Sequence, residues 1–351
     1  MGNHSIDNTF SIPYLKEKIS GIWGETFDNV EVEPLAGDAS TRRYYRIFEG
    51  GNPKKDRRLI LMQLESPQPN TEIDFIVLTD YLAGLGLPVP KLYNYDKERG
   101  LLFLEDFGDQ LLQDAIVPHV ERDEKLKWYR KAIDMLVLLQ LKGSQDPDPS
   151  CPAFNRRFDF EKLMWEMNFM IEHFLGNLKK CNLTESEVKE IRSVLAPLCQ
   201  ILADQELCLT HRDYHSRNIM IQNDGLKMID FQDARLGPRQ YDLASLLKDS
   251  YVELDDSFVD EMIDYFINRL EESGVEKINR IEFEKIFGFM SVQRNLKAVG
   301  TFAFQETQKG TDRYSEDIPR TLNYVKKTLD RQPALFNIQT VLGKYIPEIA
   351  S

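Results

Sequence analysis

The sequence predicts an α+β chain in two parts, a small antiparallel sheet with one helix followed by a larger, mainly α-helical region. Residues 30–105 are short β-rich runs separated by turn residues, and helical periodicity dominates beyond Phe107. A length of 351 residues corresponds to about two domains at the usual size of roughly 150 residues. The parts are expected over residues 1–105, with a short helical segment ahead of the sheet, and residues 106–351.

The runs NVEVEPL, RRYYRIF and LILMQL read as a meander, broken by AGDAST and GGNPKKD. A helix is expected from Thr71 to about Gly84, because Ile73, Ile76, Val77 and Tyr81 recur at helical intervals and Gly84, Gly86 and Pro88 stop it. KLYNY and LLFLE complete the sheet. Helices are then expected over Asp123–Lys142, Phe160–Leu175, Thr184–Leu202, Asp242–Leu247, Phe258–Glu272 and Ile281–Phe304. The exception is NIMIQNDGLKMIDF, two short apolar strands whose Asp224-Gly225 step favours a tight hairpin. Asp242 is expected to cap the DLASLL helix.

Hydrophobic residues make up 42% and charged residues 29%, the range of an ordinary soluble globular protein. The formal charge of -13 repels polyphosphate backbones and anionic membrane surfaces, so neither nucleic acid nor membrane is an expected partner. Cys151, Cys181, Cys199 and Cys208 form no C-x-x-C pair and read as reduced thiols of a cytoplasmic protein. The start MGNHSIDNTF lacks the build of a signal peptide, and the apolar run Met135–Leu139 ends at Gln140, far short of the roughly 20 residues of a membrane span.

The chemistry concentrates in His211-Arg212-Asp213-Tyr214-His215-Ser216-Arg217-Asn218. Asp213 and Asn218 stand five positions apart just before the hairpin, and Asp230 stands at its far end. Phosphoryl transfer needs an aspartate to orient a hydroxyl and accept its proton, and hard oxygen ligands for Mg²⁺. Each residue alone could be a turn former. Together they supply the set.

The pattern H-x-D-x-H-x-x-N, followed by I-D-F and later Y-D-L-A, resembles the aminoglycoside phosphotransferase and choline kinase superfamily over roughly Val30 to Phe304. That resemblance implies a two-lobed, protein-kinase-like fold, ATP and Mg²⁺ as cofactors, and a small-molecule hydroxyl as acceptor. It implies Asp213 as the base and Asn218 and Asp230 as metal ligands. His215 stands where protein kinases usually carry a lysine, and with Arg217 it is a candidate for acceptor binding. Trp165 and Glu166, on the helix that also carries Phe169, are further candidates. His211 is expected to be structural, and Asp233 to support the metal site.

AGDAST is a candidate phosphate cradle, with Gly37, Asp38, Ala39, Ser40 and Thr41 offering backbone N–H groups and two hydroxyls. Arg42, Arg43 and Arg46 follow. Strand alternation puts Arg42 and Arg46 on one face and Arg43 on the other. The third strand offers only Met62 or Gln63 where kinases place a phosphate-gripping lysine, and Glu72 is the counterpart of the helix glutamate that would pair with it. LLFLEDFGD implies a hinge whose main chain near Glu105 and Asp106 meets adenine.

G-D-A-S-x-R-R-Y, the lysine-free strand, LLFLEDFGD and IDFQDA together resemble the branch of anomeric N-acetylmuramate and N-acetylglucosamine kinases of cell-wall recycling. The expectation is a kinase for the anomeric hydroxyl of an amino sugar. The alternatives are an aminoglycoside- or choline-like acceptor, or a nucleotide-binding pseudokinase.

Overall fold

The computed structural model describes residues 10–27, 29–35, 42–50, 57–69, 73–117, 119–145 and 147–351. Gly37, Asp38, Ala39, Ser40 and Thr41 of the candidate cradle, and Glu72, lie outside the described residues. The chain divides into two units, residues 1–83 with 88–108, and residues 84–87 with 109–351. The first unit extends to Gly108. Arg46 Nε donates to Asp106 Oδ2 at 2.7 Å and its Nη2 to the Gly108 carbonyl at 2.9 Å, tying the post-strand turn to the sheet.

In the first unit, α1 (Ile12–Trp23) starts at Ser11, whose hydroxyl accepts the Tyr14 N–H at 3.4 Å. It ends at Gly24, where φ of +73° suits a residue without Cβ. The strands are β1 (Val30–Leu35), β2 (Arg43–Glu49), β3 (Arg58–Gln63), β4 (Leu92–Asp96) and β5 (Leu101–Glu105), with α2 (Asp74–Gly84) between β3 and β4. They form an antiparallel sheet in the order β1-β2-β3-β5-β4. Leu59 and Leu61 of β3 share a face by the two-residue period of a strand and meet Ile47, Phe103, Leu15 and Ile19 in the core.

The second unit contains α3 (Leu112–Ala115), α4 (Arg122–Gln145), α5 (Phe160–Met170), α6 (Glu185–Ala203), α7 (Gln240–Leu247), α8 (Asp256–Glu272), α9 (Arg280–Lys309), α10 (Ile318–Arg331) and α11 (Phe336–Leu342). The helix expected to run unbroken from Phe160 to Leu175 instead changes to a π-helix over Ile171–Leu178. Among its short strands, β6 (Leu207–Thr210) pairs with β9 (Arg235–Pro238), and β7 (Ile219–Gln222) with β8 (Gly225–Met228). The hairpin turn is Asn223-Asp224, with φ of +50° and +58°, so Gly225 opens the strand. Asn and Asp tolerate this left-handed region better than most side chains.

The 30-residue α9 runs through the centre, packed on α5, the π segment, α7 and α10. Gly300 allows that closeness. A Cβ there would lie 2.7 Å from Met170 Cα. No helix among the described residues is long and apolar enough to cross a membrane.

Candidate active site

The loop from β6 to β7 carries His211 to Asn218 and is shaped by two buried carboxylates. Asp242 Oδ2 accepts the His211 N–H at 2.6 Å and Oδ1 accepts the Arg212 N–H at 3.0 Å. Asp242 is not the helix cap expected of it, because α7 begins two residues earlier behind Arg239. Burial pushes the Asp242 carboxyl up to about 7, although the two N–H donors pull the other way. Asp249 acts similarly further along, accepting the Ser216 N–H at 2.9 Å on Oδ2 and the Tyr251 N–H at 2.9 Å on Oδ1. Arg212 is held at φ of +81°, a strained position for a non-glycine residue.

This backbone presents Asp213, whose Oδ1 accepts from Lys297 Nζ at 3.1 Å. Burial raises the Asp213 carboxyl, but the charges of Lys297 and Arg212 outweigh it and hold the group well below the usual carboxylate range. It is ionised at neutral pH. Lys297 lies on α9, 84 residues along the chain. No local pattern in the sequence announces it.

Asn218 Nδ2 donates to the Asp213 carbonyl at 2.9 Å and to Asp230 Oδ2 at 3.3 Å, so the three residues lie together. Asp230 is exposed, in the left-handed region at φ of +64°, and its Oδ1 accepts from Gln232 at 2.7 Å. An amide and an exposed carboxylate make a sparse set of hard oxygen donors, which suits Mg²⁺ because that ion takes few protein ligands and fills its sphere with phosphate and water. Among the described residues no group of three His, Cys, Asp or Glu side chains forms a closed metal cage. Asp233 is bound by Arg212 and Arg235, and so fixes two guanidinium groups beside the loop.

His211 is buried, its Nε2 2.9 Å from the Ile229 carbonyl. His215 lies with Nε2 3.4 Å from Asn218 Nδ2, and burial lowers its pKa to about 4. Arg217 donates to Gln113 Oε1 at 2.8 Å and stacks on Tyr251 at 3.6 Å. Glu166 is 1% exposed and receives Gln293 Nε2 at 3.0 Å, with Lys162 at 3.4 Å, so this carboxylate braces α5 against α9. Trp165 is 53% exposed with Lys162 Nζ 4.0 Å above its ring.

In the sheet unit, Arg43 is exposed opposite Gln63, and Gln63 is buried, taking the Tyr45 hydroxyl at 3.3 Å. Arg42 lies over the Phe75 ring at 6.0 Å. Arg46, one of the three arginines that follow the candidate cradle, is 7% exposed and committed to Asp106. The Glu105 N–H donates to the Lys91 carbonyl at 2.9 Å, so it is not a free donor for a base.

A family model described as "Phosphotransferase enzyme family" matches residues 31–274. A protein of Pseudomonas aeruginosa named N-acetylmuramate/N-acetylglucosamine kinase is 30% identical over 322 residues, covering 92% of this chain and 90% of its own length. One of the same name from Pseudomonas putida is 30% identical over 328 residues, with 93% and 90% covered. Among solved structures, a choline kinase from Streptococcus pneumoniae superposes with a TM-score of 0.58 at 17% identity, over 90% of this chain and 98% of its own, which shows a shared fold.

Proposed function

The chain belongs to the phosphotransferase enzyme family, and on that premise we propose that it moves the γ-phosphoryl group of ATP, with Mg²⁺, to the anomeric hydroxyl of an N-acetylated amino sugar. The observation that carries the reading is the ionised Asp213, fixed on one oxygen by Lys297 and adjoining Asn218 and Asp230. The names of the Pseudomonas relatives supply the acceptor class. The setting is the cytoplasm, in reuse of cell-wall sugars.

Asp213 orients the sugar hydroxyl and takes its proton as the new O–P bond forms and the bond from the γ-phosphorus to the bridging oxygen of ADP breaks. Lys297 holds the carboxylate in one rotamer and keeps it ionised. Asn218 and Asp230 are the residues that hold Mg²⁺, which when bound spreads charge on the phosphate oxygens. Asp242 and Asp249 pin the loop backbone so that these groups need not reorganise during the reaction. Gly37 to Thr41, Arg43, Gln63 and the main chain near Glu105 are the nucleotide-binding candidates of the sheet unit. With neutral Gln63 on β3, Arg43, its cross-strand partner, is the candidate source of positive charge for the phosphates.

The test is Mg-ATP with N-acetylmuramate, N-acetylglucosamine, choline and kanamycin, reading ADP release and locating the product phosphate by phosphorus NMR. A phosphate on the anomeric carbon of an amino sugar is the expected result. ATP binding without turnover on any acceptor would move the protein to the pseudokinases.

A further inference from the structure

Arg294 of α9 is 4% exposed. Among the described residues it forms no ion pair, and its hydrogen bond runs from Nη1 to Asn295 Oδ1 at 3.2 Å. Asn295 in turn leaves its Nδ2 buried without a partner. An unpaired guanidinium out of water is costly, and such a group is normally matched by an anion.

Its position gives the anion a place. Arg294 precedes Lys297 by three residues on one helix, roughly one turn, and residues so spaced are neighbours on the helix surface. Lys297 touches Asp213, where the acceptor hydroxyl must sit. The other cations around the loop are engaged: Lys297 by Asp213, Arg212 and Arg235 by Asp233, Lys162 by Glu166, and Arg217 by Asp317 at 3.9 Å together with Gln113 and Tyr251. Arg294 alone among them makes no ion pair, its charge reaching the buried Asp242 only at longer range. A planar guanidinium suits a carboxylate, which it grips with two parallel hydrogen bonds.

We propose that Arg294 is the acceptor-specificity residue, receiving the carboxylate of a sugar-acid acceptor while Asp213 receives its hydroxyl. The assignment rests on the amino-sugar reading and deepens it. N-acetylmuramate is N-acetylglucosamine with a lactyl ether, so the two acceptors differ by the carboxylate in question. The excess charge on Arg294 also disfavours a cationic acceptor of the choline or aminoglycoside kind.

The experiment measures kcat and KM for both sugars with wild type, Arg294→Gln and Arg294→Lys, and compares wild type on N-acetylmuramate and its neutral methyl ester. In Arg294→Gln the KM for N-acetylmuramate should rise roughly 10- to 100-fold, with the KM for N-acetylglucosamine within about twofold and kcat little changed. Arg294→Lys should recover part of the loss. Wild type should prefer the acid to its ester by a similar factor, a comparison that needs no variant to fold. Equal losses on both sugars would assign the guanidinium to nucleotide phosphate or to packing and overturn the proposal. So would indifference between acid and ester. Wild type turning over neither sugar would remove the amino-sugar reading itself, whereas turnover of both without discrimination removes only the role of Arg294.

Discussion

Asp106 in the sheet unit and Asp213 in the helical unit each face a basic side chain, and the two are held in opposite ways. Asp106 receives Arg46 on both oxygens, at 2.7 and 3.2 Å, the Gly108 N–H at 2.8 Å and Arg58 at 3.4 Å, and its side chain is 2% exposed. Asp213 has a short contact to Lys297 on Oδ1 alone, Arg212 lies 3.9 Å from Oδ2, and the side chain is 25% exposed. A carboxylate whose lone pairs are all filled by the protein fastens a turn. One left half open, yet kept ionised by nearby cations, can accept a proton from a substrate.

The comparison breaks most visibly at the base itself. Asp213→Asn keeps the shape and removes the proton acceptor, so kcat should fall roughly 10³-fold while the melting temperature stays close to wild type. Activity near the wild-type rate would show that the open carboxylate is not the base. The closed pair should respond the other way, because Arg46→Met leaves Asp106 buried and under-paired, which costs about 3–5 kcal/mol. Urea unfolding reads that loss, and a change below about 1 kcal/mol would mean that the pair is no stronger than one on the surface.

Lys297→Met sharpens the contrast. Removing the nearest cation raises the Asp213 pKa, so the acid limb of the kcat/KM profile should move to higher pH, and releasing the carboxylate from its single rotamer should cost roughly 10-fold at pH 7. An unmoved limb would leave Lys297 without influence on the base. The smallest effect concerns the loop's support at Asp242. Its native carboxyl titrates near 7 against 3.8 when unfolded, so the native state holds a proton that the unfolded chain releases between those values. That contribution is present in full below about pH 4 and is lost as pH rises through 7. The stability of wild type relative to Asp242→Asn should therefore decline from pH 4 to 7, and a flat difference would refute the shift.

The parts of the site that were readable in advance are those written in consecutive residues. Asp213, Asn218 and Asp230 are candidates by spacing and by a hairpin with turn formers at its tip, and the structure brings them together because backbone geometry over some twenty residues follows from local propensity. The turn was displaced by one residue, since Asn223-Asp224 can adopt the left-handed conformation that was expected of Asp224-Gly225. The pairing of β6 with β9 is not legible in the sequence, because four-residue strands 25 positions apart have no periodicity of their own, whereas α10 repeats Ile318, Leu322, Val325 and Leu329 at helical spacing and is legible to the same criterion as the helices before it. Spacing leaves open which of Arg42, Arg43 and Arg46 faces the cradle, and only the register of Arg46 opposite Ile60 and the turn after β5 put it on Asp106.

The α+β order, the sheet followed by helices, and the loop that carries Asp213 follow from the residues alone, since they depend on periodicity, turn chemistry and short spacing. Packing selects which charges are spent and which are left over. Lys297 on Asp213, Arg46 on Asp106, Asp242 beneath His211, and Arg294 without an ion pair among the described residues are all consequences of packing distant segments together. Whether a charge is matched depends on what lies within a few ångströms of it, and that is fixed only when the helices and strands meet.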